Sequence, residues 1–367
     1  MIASPWPVRP LSEIVELQRG HDLPSSQRVL GNVPIIGSFG VTGFHDRSLY
    51  AGPGVAIGRS GASIGAATFV DLDFWPLNTC LFVRDFKGND PRWVYRMLDQ
   101  IDFAGFNSGS AQPSLNRNFL RSIPVRVPSL EEQRAIAEVL GALDDKIAAN
   151  ERVNGASEAL AVALVESAPR ATRVSELATQ STQSVSPNGF DERVAHFSLP
   201  SFDDGGRPDL AAPSSIKSNK FLIERPAVLI SKLNPRIPRV WDVVQMPDQM
   251  ALASTEFVVL HPTGLSTTAL WGALRQSSVT AVLGGKVAGT SGSHQRVRPA
   301  EILQLQVPDP RTLEPRVLQR VDSLGGSIHA VRVESVRLAA TRDELLPLLM
   351  SGRLHVKDAE KVVAEVV

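Results

Sequence analysis

A long, narrow apolar stripe at the midpoint constrains this chain more than any other feature. The stretch Pro128–Asn150, PSLEEQRAIAEVLGALDDKIAAN, opens on a capping box. Ser129 can accept from the Glu132 N–H while the Glu132 carboxylate reaches back to the Ser129 N–H. Beyond it the seam positions step by four and three: Ile136, Leu140, Leu143, Ile147, Asn150, Asn154, Ser157, Ala161 and Leu164. So thin a stripe suits a coiled-coil seam rather than a helix pressed on a broad core. The spacing predicts one helix from Ser129 to about residue 167, on the order of 55 Å long at 1.5 Å per residue. Asn150 and Asn154 fall on the seam, where buried amides fix partner and register at some cost in stability.

The stripe recurs near the other end, at Val317, Val321, Leu324, Ile328, Val331, Ser335, Leu338, Arg342, Leu345 and Leu349. Thr312 is expected to cap this second helix and Gly352 to stop it. Gly325 and Gly326 lie inside it, each costing roughly 1 kcal/mol against alanine. A partner helix must offset that, so the two rods are expected to pack on each other.

The segments ahead of the rods echo one another in a common order. Leu11–Ile14 resembles Val174–Leu177, Gly54–Ile57 resembles Ala227–Ile230, and Leu81–Val83 resembles Phe257–Val259. Ser108–Gln112 resembles Ser291–Gln295, and Ile123–Pro128 resembles Leu303–Pro308. The order implies an internal duplication: globular unit, rod, globular unit, rod. Short β-branched runs at Val33–Ile36, Val55–Ile57, Ala227–Ile230 and Glu256–Leu260 predict strands separated by Gly and Pro turns. Trp93–Leu98 and Ala269–Leu274 predict one short helix per unit. The expected class is α+β, with mostly β globular units and a pseudo-two-fold duplication. The expected divisions are 1–128, 129–170 (central helix), 171–309, 310–352 (second helix) and 353–367 (tail).

Formal charge is zero, so a nucleic-acid partner cannot be argued from bulk charge, only from local patches. Such patches exist. Lys217–Arg239 carries six Lys/Arg against Glu224 alone. Gly284–Arg298 holds Lys286, Arg296, Arg298 and His294 without an acid, and Gly105–Arg126 holds Arg117, Arg121 and Arg126 without an acid. Arg and Lys pair with phosphates, and Arg, Asn and Gln read base edges bidentately. By contrast, Glu131–Lys146 has five acids and two bases, so that part of the rod should avoid phosphate.

Motifs for catalysis are absent. The single cysteine, Cys80, excludes a disulfide framework and a cysteine-rich zinc site. Gly285–Lys286 lacks the rest of a Walker loop, and no H-E-x-x-H occurs. Gly37–Gly43 reads as a tight turn, not a phosphate cradle. Asn234-Pro235-Arg236 lacks the second proline and the aromatic of an adenine-methyltransferase motif. Neither a secretory signal nor a membrane-length apolar run is visible, so a cytoplasmic, non-catalytic reader is expected.

Several stretches resemble the specificity (S) subunits of type I restriction–modification systems. These are VPSLEEQRAIAEVLGALDDKIAANERVN (127–154), GVAIGRSGASIG (54–65) and SGSAQPSLNRNFLRSIPVRVP (108–128) in the first part. LISKLNPRIPRVW (229–241), STEFVVLHP (254–262) and LLPLLMSGRLHV (345–356) continue the order, although VPDPRTLEPRVLQRV lacks the Glu-Gln-Arg of the first rod and Gly325-Gly326 is expected to interrupt the second helix. The resemblance implies two target-recognition domains separated by two long antiparallel helices that set the unread spacer of a bipartite DNA target. It implies docking of two modification subunits (adenine N6-methyltransferases using S-adenosylmethionine) and two ATP- and Mg-dependent motor–nuclease subunits. No cofactor is expected on this chain, and the complex serves defence. The candidate DNA contacts are Arg59, Ser60, Ser110, Gln112, Asn116 and Arg117 in the first unit. In the second they are Lys232, Asn234, Arg236, Arg239, Gln295 and Arg296, with lysines and Arg121 assigned to phosphates. Partner docking or the helix seam is expected of Gln133, Ile136, Leu140, Leu143, Ile147, Asn150, Asn154, Leu324, Ile328, Val331 and Leu338. The competing expectation is a coiled-coil scaffolding adaptor without DNA specificity.

Overall fold

The alternating runs and Gly/Pro punctuation of the first 128 residues build strands with short helices between them. The computed structural model describes residues 6–106, 114–187, 189–285 and 295–367. In chain order come β1 (Val8–Pro10), α1 (Leu11–Ile14), β2 (Glu16–Arg19), β3 (Val33–Gly37), β4 (Gly40–His45), β5 (Gly54–Gly58) and β6 (Ala67–Val70). β7 (Trp75–Pro76), β8 (Cys80–Asp85), α2 (Pro91–Asp99), α3 (Arg117–Leu120), β9 (Pro124–Arg126) and the long α4 (Leu130–Glu166) follow. The second stretch holds β10 (Ala171–Arg173), α5 (Val174–Leu177), β11 (Ala178–Ser181), β12 (Ser184–Val185), β13 (Val194–Phe197), α6 (Leu199–Asp203), β14 (Asp209–Ala211) and β15 (Lys220–Ile223). It continues with β16 (Ala227–Ser231), β17 (Val240–Val243), β18 (Ala251–Ala253), β19 (Phe257–Pro262), α7 (Thr267–Leu274), α8 (Ser277–Gly285), α9 (Pro299–Leu303) and β20 (Gln306–Pro308). Last come α10 (Pro315–Met350) and α11 (Val356–Ala364).

Two compact units result, and neither is the product of one helix alone. The first joins residues 1–148 to 335–367; the second is 149–334. The duplication read from the sequence is present in their topology. The first unit's main sheet runs β2-β8-β5-β6 and the second's β11-β19-β16-β17, antiparallel throughout. Each also has a small antiparallel pair, β1-β9 and β10-β20. The Leu11 N–H donates to Ile123 O at 2.8 Å, and the Val174 N–H to Leu305 O at 3.1 Å. This register matches Ile123 with Leu305, two residues away from the sequence pairing with Leu303. A two-residue slip leaves every side chain on its original face, so the alternation could not detect it. The second sheets diverge: β4-β3-β7 in one unit, five mixed strands β12-β15-β18-β13-β14 in the other.

The capping box forms as expected: the Glu132 N–H donates to Ser129 Oγ at 3.2 Å and the Ser129 N–H to Glu132 Oε2 at 3.1 Å. Within the first unit Ile136, Leu140 and Leu143 are buried in one core with Leu338, Leu345 and Leu349 of α10. Arg342 of α10 pairs with Asp144 of α4 at 3.1 Å, and Asp144 also binds Arg96 of α2. Within the second unit Asn150 Nδ2 donates to Glu334 Oε2 at 2.7 Å, and Arg332 pairs with Glu158. Later residues of α4 thus meet earlier residues of α10, which makes the pair antiparallel. Asn150 and Ile328 are buried. Ile147, Asn154, Leu324 and Val331 are half-buried.

Three expectations need correcting. Thr312 does not cap α10; Glu314 O accepts the Leu318 N–H at 3.1 Å and Pro315 takes the first helical position, where its missing N–H costs nothing. Gly325–Gly326 does not interrupt α10. A Cβ on Gly325 would lie 1.9 Å from Thr268 Oγ1 of α7, so glycine is what lets the two helices approach. The residues after Gly352 are not merely a tail: α11 buries Ala359 and Val363 in the first unit's core. Gly352 does stop α10, at φ +70°, with the Arg353 N–H bonded to Leu348 O at 3.0 Å.

Candidate nucleic-acid interface

In the first unit the site grows from the end of β5. A Cβ on Gly58 would meet Ser63 O at 2.0 Å, so only glycine lets the following loop fold back on its own strand. The loop is closed by Gly58 N–H to Ala66 O and Gly65 N–H to Gly58 O, both 2.9 Å. Arg59 is then held from three sides. Its N–H donates to Thr79 O at 3.0 Å, its carbonyl accepts the Leu115 N–H at 2.9 Å, and Nη1 donates to Asn78 O at 3.2 Å. Ser60 bridges Ser114, which brings the start of α3 alongside. Asn116 caps α3, its Oδ1 accepting the Asn118 N–H at 3.0 Å. Its amide nitrogen remains a donor, but bidentate reading of a base would have to give up the cap.

These turns meet β2 and β8 in an open cleft of ≈ 650 Å³ into which Arg19, Arg59, Arg84 and Arg117 converge, with Gln18 and Asn116 among them and no acid in its lining. Glu16 approaches from the rim, 3.6 Å from Arg84. Four guanidinium groups around one concavity focus a positive potential and suit a polyanion. Arg59, Asn116 and Arg117 were legible in the sequence; Gln18, Arg19 and Arg84 were not. Gln18 and Arg19 close the short strand β2 and Arg84 lies in β8, far apart in sequence, and only the β2–β8 pairing gathers them. Ser110 and Gln112 lie outside the described residues.

The second unit repeats the backbone and changes the chemistry. Leu233 bridges Arg296 as Ser60 bridges Ser114, and the Asn234 N–H donates to Gln295 O at 2.9 Å. Asn234 sits at φ +49°, a left-handed conformation that asparagine tolerates. Its Oδ1 is shielded without a hydrogen bond. Arg239 is bidentate to Asp203, with Nε–Oδ1 2.7 Å and Nη2–Oδ2 2.8 Å; Arg296 is bidentate to Glu256 at 3.1 and 2.9 Å. Those guanidinium bonds hold both carboxyls below their ordinary range. The basic loops are therefore not free of acids in space. Asp203 and Glu256 arrive from 36 and 40 residues away, beyond any count along the loop. Lys232 is half-buried with its N–H on Glu256 O at 2.8 Å, while Arg236 stays exposed.

Gln133 is not presented outward. It is 2% exposed, accepts the Asp90 N–H at 3.0 Å and donates to Asn89 Oδ1 and Pro128 O at 2.9 and 3.1 Å, fastening α4 to α2. Cys80 is likewise no nucleophile, since burial pushes its thiol up to about 12. No helix among the described residues is long and apolar enough to cross a membrane.

Residues 3–156 match the family described as the type I restriction modification DNA specificity domain. The type I restriction enzyme EcoprrI specificity subunit of Escherichia coli is 27% identical over 139 residues, 36% of this chain and 35% of that protein. A putative type I restriction enzyme specificity subunit of Haemophilus influenzae is 26% identical over 140 residues, 37% and 36% of the two chains. The matched part of this chain thus spans about a third of each relative. The S subunit of a type I restriction–modification system from M. genitalium shares the fold, with a TM-score of 0.60 at 13% identity over 95% of this chain and 97% of that one. The cleft with its four arginines lies within residues 3–156, the part of the chain that matches the type I restriction modification DNA specificity domain.

Proposed function

We propose that this chain is the DNA-reading subunit of a type I restriction–modification complex, each unit taking one half of a split target. The observation that carries the reading is the acid-free cleft of Arg19, Arg59, Arg84 and Arg117 inside the matched specificity domain. Two backbone hydrogen bonds fix the Arg59 main chain and one to Asn78 O holds its guanidinium before DNA arrives, which reduces the conformational entropy lost on contact. In the second unit Arg236 is the first candidate contact, while Arg239 and Arg296 act mainly by shaping the loop. The long helices α4 and α10 supply the spacer between half-sites. Chemistry belongs to partners: modification subunits bring S-adenosylmethionine and methylate adenine N6, and motor–nuclease subunits bring ATP and Mg. Residues 1–128 and 171–309 are the proposed recognition domains, and the complex works in the cytoplasm.

The test is reconstitution with the modification subunit. The pair is expected to methylate one bipartite sequence that neither component methylates alone. Arg59→Glu with Arg117→Glu should abolish methylation at that sequence while the complex still assembles. Equal methylation by the partner without this chain would falsify the reading.

A further inference from the structure

One group beside the cleft is out of keeping with a surface built to hold phosphate. Phe119 is 55% exposed on α3. It lies in the single turn that follows the N-cap Asn116, and its N–H donates to Asn116 O at 3.0 Å. Asn116 and Arg117 both line the cleft, and Leu120 turns the other way, wholly into the core. The scaffold does not need an aromatic here. By the register that matches Ile123 with Leu305, α9 carries Glu301 at the corresponding position, where its carboxylate accepts the Arg298 N–H at 2.9 Å. Phe119 is thus an apolar side chain left in water among hydrogen-bonding neighbours, at a place where its counterpart is polar.

Resting on the reading above, we propose that Phe119 is a specificity-determining residue that packs on the 5-methyl group of a thymine in the half-site read by the first unit. The chemistry singles out that group. Arg and Asn neighbours fit the donors and acceptors of base edges in the major groove, and the thymine methyl is the one apolar feature those edges display. An exposed phenyl ring gains by covering a methyl, and on cytosine it finds only a C5 hydrogen in that place, beside the polar N4 amino group. Phe119 therefore discriminates thymine from cytosine at one position, next to the base that the Asn116 amide or Arg117 contacts.

The experiment uses the full chain assembled with its modification subunit, on the target identified by methylation mapping. Each thymine of the first half-site is replaced in turn by deoxyuridine, which keeps pairing and removes only the methyl. At one position the wild-type complex is expected to bind about fourfold more weakly, the worth of one buried methyl. Phe119→Ala should bind thymine and uracil duplexes alike at that position, and Phe119→Leu should keep part of the preference. Three outcomes overturn the proposal: a half-site with no methyl-sensitive thymine, an undiminished preference in Phe119→Ala, or loss of partner assembly with the preference intact. The last would make Phe119 a protein contact. Failure of the underlying reading looks different, since the wild-type complex would then have no methylated target at all.

Discussion

Arg59 and Arg239 are both arginines in basic loops, and the structure gives them opposite tasks. Arg59 hydrogen-bonds only backbone carbonyls and keeps its charge for the cleft, while Arg239 spends its guanidinium on both oxygens of Asp203. Arg59→Ala or Arg117→Ala is expected to lower the slope of log affinity against log salt by about 1 each, with unchanged stability. Arg239→Ala should leave that slope unchanged and lower stability by about 1 kcal/mol or less, because Asp203 is half exposed and water screens the pair. Salt titration and urea denaturation of the four proteins separate these outcomes. Asp242 offers a sharper pH signature. Its carboxyl is buried, with Thr268 Oγ1 on Oδ2 at 2.6 Å and Oδ1 without a partner, and desolvation raises its pKa from 3.8 to about 6. A folded value above the unfolded one means that the folded state holds the proton more tightly. Stability from this group is present below pH 3.8 and is lost as pH rises to about 6. Asp242→Asn should therefore be the more stable protein at pH 8, by up to about 3 kcal/mol, with the advantage vanishing near pH 4. A constant difference across that range would refute the assignment. None of these distinctions was legible in the sequence, because each depends on a partner distant along the chain.

Secondary structure was far more legible than the site. A four-three stripe survives any tertiary context, so α4 and α10 stand where the spacing put them, and the strand runs became β3, β5, β16 and β19. What the stripe could not reveal is which glycine in α10 faces another helix. Propensity alone ranks Gly325 and Gly326 as equal weak points, but their surroundings are opposite. Apart from the helix's own adjacent backbone, no atom lies within 4 Å of a Cβ placed on Gly326, whereas one on Gly325 collides with Thr268, the residue that holds Asp242. Gly326→Ala is expected to stabilise the protein by up to about 1 kcal/mol, and Gly325→Ala to destabilise it by about 1–3 kcal/mol through overpacking. Thermal denaturation of the two variants settles the order; equal effects would mean that α10 and α7 can move apart at no cost.

At the scale of the whole chain, the repeat was visible as weak echoes but its partition was not. Sequence order suggests that each globular unit ends where its rod begins. Instead the first unit draws on both ends of the chain, because Leu143 and Leu338, both wholly buried, belong to one core. Removing residues 335–367 should therefore strip the cover from Ile136, Leu140 and Leu143. The first unit is expected to lose protection from proteolysis while residues in the core of 149–334, such as Val228 and Leu260, keep theirs. Hydrogen exchange read by mass spectrometry distinguishes this from uniform loosening.

That partition also dictates a timetable for synthesis. The ribosome releases residues 1–148 first, yet the helical segments that complete their core emerge only after 149–334. Throughout translation of the intervening 149–334 the nascent chain carries a bare leucine-rich helical face. A holdase that shields that face until residues 335–367 emerge would raise the yield of native protein, and a stall just before residue 335 would leave the first unit waiting for its closing piece.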